Sequence, residues 1–204
     1  RPVSDFELFT YHEACFIKAE VLFRKGDKGG ALAAYKAGIK ANIDYMQKKL
    51  TTWEGQGYKN PDMFPMDNEK ITAYMASDAV CQNAEELTMQ DIMLQKYVAM
   101  GCSIENWNDM RRFNYSTGNI ADFGIVYPNF DRSVMFTGND KLKGTSKTDP
   151  KYWPRRWRLP GTLELTYNEK NATIANKHAH DTDIWSYPVW WDCATNAEYE
   201  SYLK

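Results

Sequence analysis

The sequence predicts a mainly α-helical protein, built from antiparallel helical hairpins that carry long irregular loops. Three observations predict it. Apolar residues recur at helical spacing from Phe9 to Met110. A Gly26-Asp27 pair interrupts that pattern where two helices of opposite direction would join. After Asn114 the texture changes to Gly, Asn, Asp and Pro with short apolar pieces, the composition of loops rather than helices.

The elements follow in order. A first helix is expected from Asp5 to about Lys25, capped by Ser4 or Asp5, with Phe9, Phe16, Ala19 and Phe23 on one face. A second is expected from Lys28 to Leu50, presenting Leu32, Tyr35, Ile39, Ile43 and Met46. Ala19 and Ala31 put small side chains where the two helices would cross closely, and Tyr35 and Gly38 follow at matching positions. This is the pattern of a tetratricopeptide-type hairpin. Such a unit does not bury its own apolar face, and roughly three are needed for a stable stack, so the chain reads as part of a larger helical protein.

Gly55, Gly57, Pro61 and Pro65 break the next stretch before a short helix at Ile71 to Val80. A stronger helix runs from Leu87 to Met100, with Met89, Met93, Tyr97 and Met100 in register. Gly101 ends it, and Ile104, Trp107 and Met110 define the next amphipathic face. Tyr115 to Trp153 reads as long ordered loops with at most one short strand, at Ile125-Val126-Tyr127. One more helix is expected from Pro160 to Asn171, with Pro160 in its first turn. The tail from Asp183 to Asp192 is aromatic and extended. The expected organisation is a single region, 1–204: a hairpin over 1–50, further helices over 51–115, and a loop-rich segment over 116–204.

Composition narrows the function classes. Of the 204 residues, 43% are hydrophobic and 14% aromatic, including seven Trp and thirteen Tyr, which requires a folded core. A net charge of −2 supplies no basic stripe for nucleic acid or for a membrane surface. No run approaches the ~20 apolar residues that span a bilayer. Arg1-Pro2 lacks a starting Met, so a preceding segment is expected. Cys15, Cys81, Cys102 and Cys193 form no CxxC pair, which argues against zinc-ribbon and thioredoxin-type sites. Cys15 reads as a small buried hydrophobe, and a Cys81–Cys102 disulfide is left open.

Four separated blocks line up with one family. They are Tyr11-His12-Glu13 through Ile39; Gln95-Lys96-Tyr97-Val98-Ala99 with Glu105-Asn106-Trp107-Asn108-Asp109-Met110-Arg111-Arg112; Pro154-Arg155-Arg156 with Leu159-Pro160, Glu164 and Asn168; and Val189-Trp190-Trp191-Asp192. In order and spacing they resemble the C-terminal part of the SusD/RagB-like outer-membrane lipoproteins. The resemblance implies a tetratricopeptide-based scaffold, lipid-anchored through a missing N-terminal half and facing outward from the cell surface. It also implies a SusC-like TonB-dependent transporter as partner, a glycan or, in RagB-type members, a peptide as ligand, and no catalysis or cofactor.

Sugar binding needs flat apolar faces and a few polar groups. Trp53 and Tyr58 in a Gly-broken stretch, and Tyr152 and Trp153 beside the Gly/Asn/Asp segment, are the candidate ligand-contacting residues. The competing reading makes them cover for the core or for the missing half. Trp107, Arg111 and Arg112 have the chemistry for anion binding but read better as buried ion pairs, with Glu164 as a candidate partner; Arg155, Arg156 and Arg158 invite the same reading. His178, His180, Asp181 and Asp183 are metal-capable, yet no second ligand cluster accompanies them, so no metal site is assigned. No GxSxG, HExxH or phosphate-loop motif is present, and nothing selects two carboxylates as a glycosidase pair. The expected function is non-catalytic glycan capture, with peptide capture or a tetratricopeptide protein adaptor as alternatives.

Overall fold

The computed structural model describes residues 7–55, 65–115, 120–130, 154–181 and 184–203. Among them are eight α-helices and no strand. The helices are α1 (Tyr11–Arg24), α2 (Lys28–Gly55), α3 (Asn68–Met75), α4 (Met89–Met100), α5 (Ile104–Arg112), α6 (Glu164–Tyr167), α7 (Glu169–Ala175) and α8 (Asn196–Leu203). Single 3₁₀ turns lie at Ile120–Asp122, Ile184–Ser186 and Trp190–Asp192. The chain divides into two compact units, one of residues 1–113 with 119–127 and one of 114–118 with 128–204.

In the first unit the hairpin forms as the sequence predicts. Gly26 turns the chain at φ +83°, and Asp27 Oδ1 accepts from Gly30 N (2.8 Å) at the head of α2. A β-carbon at Gly30 would stand 2.3 Å from Asp27 Oδ2, so that cap depends on glycine. Ala19 and Ala31 are fully buried, and Phe16 meets Tyr35 edge-on at 6.4 Å. A β-carbon at Gly38 would stand 3.0 Å from the Phe16 ring, so a larger residue there would require the ring to shift by a few tenths of an ångström. Tyr35 Oη accepts from Cys81 N (3.3 Å), and burial pushes its phenol up to about 12. Helix α1 begins at Tyr11, later than expected, because Thr10 Oγ1 accepts from Glu13 N and fixes the start there. Phe9 is therefore outside the helix and 64% exposed rather than in the core.

Helix α4 opens with a capping box between Thr88 and Asp91 and packs on both helices of the hairpin. Its end is closed by the next helix. Gly101 sits at φ +52°, and the buried Asn106 of α5 donates to the carbonyls of Tyr97 (3.1 Å) and Gly101 (2.6 Å). The face that α5 buries is polar: Asn106 and Asp109 go inward while Ile104 stays exposed. The apolar face expected from Ile104, Trp107 and Met110 is therefore corrected. A buried charge cluster is what α5 supplies to the core.

That cluster links three helices. Lys96 Nζ lies 2.6 Å from Asp109 Oδ2, both side chains 6% exposed. Arg112 forks onto both Glu20 oxygens (2.8 and 2.9 Å) and also reaches Asp109 Oδ1 (2.7 Å), and Arg24 Nε donates to Glu20 Oε1 (2.9 Å). Phe23, Phe113, Phe123 and Tyr127 pack around it, with the Arg24 guanidinium 4.9 Å from the Phe123 ring centroid. Val126 and Tyr127 are buried but irregular, so the short strand considered at residues 125–127 is not formed. Burial opposes ionisation of Glu20, but Arg112 and Arg24 outweigh it and hold the carboxyl below its ordinary value.

A depressed native pKa contributes stability above the unfolded value, and that contribution is lost as pH falls through the native value. The melting temperature is therefore expected to hold from pH 7 to about 5 and to fall below about pH 4. Glu20→Gln should lie below wild type at neutral pH and converge with it in acid, as measured by thermal unfolding over a pH series. Parallel curves at every pH would remove Glu20 from the acid limb.

In the second unit the expected helix over 160–171 is two short ones. Asn168, at their junction with φ −125°, donates to Glu164 Oε2 (3.0 Å) and accepts from Asn171 Nδ2 (2.7 Å), competing with the helical backbone. The expected extended tail contains two 3₁₀ turns over 184–192, followed by α8. Glu198 starts α8 by bonding Thr195 Oγ1 through its N–H and Ala194 N through its carboxylate. Arg155 Nε donates to Asp192 Oδ2 (2.7 Å) and its Nη2 to the Asp192 carbonyl (3.0 Å). All four cysteines are free, so the Cys81–Cys102 bridge is not formed.

Candidate functional site

The predicted ligand-contacting residues do not form a describable site. Trp53 has its backbone in the last turn of α2, but its side chain lies outside the described residues, as do all of Tyr58, Tyr152 and Trp153. Three of the arginine candidates, Arg111, Arg112 and Arg155, have partners. Arg112 pairs with Glu20 and Asp109, Arg111 stands over the Trp107 ring at 4.8 Å, and Glu164 bonds Asn168 rather than an arginine. His178 Nδ1 contacts Asp181 Oδ2 (2.7 Å) and stacks on Tyr187, while His180 Nε2 lies 3.7 Å from Glu169. Among the described residues no group of three or more His, Cys, Asp or Glu is placed to hold a metal ion.

A concavity with polar groups lies in the first unit, where α1 begins. It is an open groove of about 440 Å³ lined by residues 7–12 together with Ala41 and Tyr45 of α2. Three large side chains at its rim are exposed in near succession: Leu8 (86%), Phe9 (64%) and Tyr11 (75%). Leu8 and Phe9 are held out because Thr10 caps α1 and fixes the preceding residues as non-helical, and Tyr11 stands in the first turn of the helix.

The groove's polar groups are organised around Glu7. Its Oε1 accepts from Tyr45 Oη (2.6 Å) and from Lys49 Nζ. Hydrogen bonds from Lys49 and then Tyr45 hold the Glu7 carboxyl below its ordinary value, and burial together with the Glu7 bond raises the Tyr45 phenol. The Lys49 ammonium also stands 4.6 Å from the Tyr45 ring centroid. His12 is 3% exposed, its ring 5.4 Å from that of Tyr45, and burial lowers its pKa, which keeps the imidazole neutral at pH 7. Sequence reasoning passed over this group because Tyr11 and His12 sit inside a scaffold block and Phe9 fits a helical face. The signal that points to it is Thr10, an N-cap residue with a glutamate three positions later.

A second open groove, about 560 Å³, lies between the two helices of the hairpin and is lined by Ala33, Ala34 and Ala37 of α2 together with Tyr11, Cys15 and Lys18 of α1. Comparison with known families decides the broader question: residues 2–121, more than half the chain, match the SusD-like family, described as starch-binding and associating with the outer membrane. The chain belongs to this family. No curated protein and no solved structure matches it. The SusD-like assignment agrees with the helical architecture and places the chain among binding proteins of the outer membrane. No helix among the described residues of this SusD-like chain is long and apolar enough to cross a membrane.

Proposed function

We propose that this chain captures a glycan at the cell surface, without catalysis, and passes it to a SusC-like TonB-dependent transporter. A lipid on a preceding segment anchors it, and the N-terminal half of the same protein completes its helical stack. The observation that carries this reading is the SusD-like match over residues 2–121, with its starch-binding description. Exposed aromatics support it: Tyr11, Trp157, Tyr167, Trp190 and Trp191 each keep more than 60% of their surface in solvent. Such faces serve pyranose rings through apolar stacking. Trp53, Tyr58, Tyr152 and Trp153 are proposed to contact the ligand as well.

Calorimetric titration with maltohexaose and a panel of other oligosaccharides tests the reading. Stacking one ring buries ~50 Å² of apolar surface, or about 1 kcal/mol, so affinities between roughly micromolar and millimolar are expected. Replacing Trp53 and Trp153 together by Ala should weaken binding about tenfold or more in a protein that remains folded. Undiminished affinity would remove those two residues from the site. Binding of peptides with no binding of any glycan would favour peptide capture. The alanine-lined groove supports a second reading, a protein adaptor, which a chain that binds neither class of ligand would favour.

A further inference from the structure

The geometry points to a subsite for one uncharged sugar ring in the groove at the head of α1, with Tyr11 as its stacking face and Glu7 and His12 as its hydroxyl partners. The inference rests on the glycan reading above and goes beyond it by naming the residues and the charge class.

Three observations carry it. His12 is 3% exposed, yet among the described residues nothing hydrogen-bonds to its ring nitrogens, although it lines the groove. Its nitrogens are not among the buried atoms left without a partner, so solvent reaches them from the groove, and a ligand hydroxyl, which both donates and accepts, can take that water's place on a neutral ring in either tautomer. Glu7 spends one carboxylate oxygen on Tyr45 and Lys49 and has the other to accept from a ligand. Tyr11 presents an apolar face at 75% exposure on the same groove, with Phe9 and Leu8 extending the rim.

Charge selects the ligand class. The glutamate is balanced by Lys49, and the charged groups acting on His12 are these same two. Among the described residues the groove therefore carries no net charge, and an ionised ligand would leave one charge without a counterpart there. A polyhydroxylated, uncharged ring uses every feature present. The volume of about 440 Å³ falls within the range of roughly 300–1,000 Å³ that small-molecule sites occupy.

The test uses the 204-residue chain with maltohexaose as probe and an oligogalacturonate of equal length as the charged comparator. Calorimetry is expected to show maltohexaose binding that Tyr11→Ala weakens about five-fold or more and Glu7→Gln weakens less, with oligogalacturonate bound more weakly than maltohexaose. Tyr11 is exposed, so its variant should keep the wild-type melting temperature. Imidazole ¹H–¹⁵N spectra should show the His12 resonances shifting on saturation while those of His178 and His180 stay in place. Maltohexaose binding that is insensitive to Tyr11→Ala, with unmoved His12 resonances, overturns the subsite and leaves the glycan reading standing. Tighter binding of the oligogalacturonate overturns the uncharged ligand class. Failure of the wild-type chain to bind any oligosaccharide overturns the glycan reading and the subsite with it.

Discussion

Asp109→Ala is expected to cost roughly 3–5 kcal/mol, the largest loss from any single change considered in the hairpin unit. Lys96 is 4% exposed and has Asp109 as its counter-charge at 2.6 Å. Removing the carboxylate leaves an ammonium inside a dry core and takes from Arg112 one of its two acidic partners. The stabilities of domains this size are about 5–15 kcal/mol, so the variant should be largely unfolded at moderate urea. A control separates a charge effect from a packing effect. Lys96→Met combined with Asp109→Ala removes both charges and should recover part of the loss, because a buried pair is worth far less than the penalty for breaking it. Urea unfolding of the two single variants and the double variant measures the coupling. Additive losses would show that the pair is not energetically linked.

Ala19→Trp is the second large effect. Ala19 has no exposed surface, and neither does Ala31, the small residue that the hairpin pattern pairs with it. The helices are close enough that even a β-carbon at Gly38 presses on Phe16. An indole at position 19 forces the helices apart, and overpacking of this kind costs about 1–3 kcal/mol and more when the backbone moves. A melting temperature lower by ten degrees or more is expected in calorimetry. An unchanged value would mean that residue 19 does not face the interface.

These two sites differ in how readable they were. Ala19, Ala31, Tyr35 and Gly38 announce a hairpin because close helix packing restricts side-chain volume, and volume is visible in one sequence. The role of Asp109 is not, since a carboxylate at helical spacing looks the same on a solvated face as in a core. Only Arg112 and Glu20, 92 positions apart, tell which it is. The blocks used for recognition turn out to be joined in the same way: the first to the second by Glu20 and Arg112, the third to the fourth by Arg155 and Asp192. Helix α8 was missed although Thr195 and Glu198 have capping spacing, because the following residues lack an apolar stripe. The groove at the head of α1 was hidden for the opposite reason: Phe9 fits a helical period that Thr10 cuts short. The loop aromatics were legible as a residue type, but composition does not say where a loop goes.

The unequal lengths of the paired helices have a mechanical consequence. Helix α2, with 28 residues, is about 42 Å long, and α1, with 14, about 21 Å. Running antiparallel from the turn at Gly26, α1 is used up where α2 passes Ala41 and Tyr45. Beyond that point α2 extends past the end of α1. Two side-chain grips brace it: Lys49 with Tyr45 on Glu7, and the Gln47 amide, which both donates to the Met66 carbonyl (2.6 Å) and accepts from Met66 N (2.9 Å). The far end of α2 is thus held by surface clasps together with its contact to α3. Glu7 holds one of those clasps from within the groove. By the reciprocity of linked equilibria, whatever fixes Glu7 stiffens the arm, and whatever steadies the arm preforms the groove.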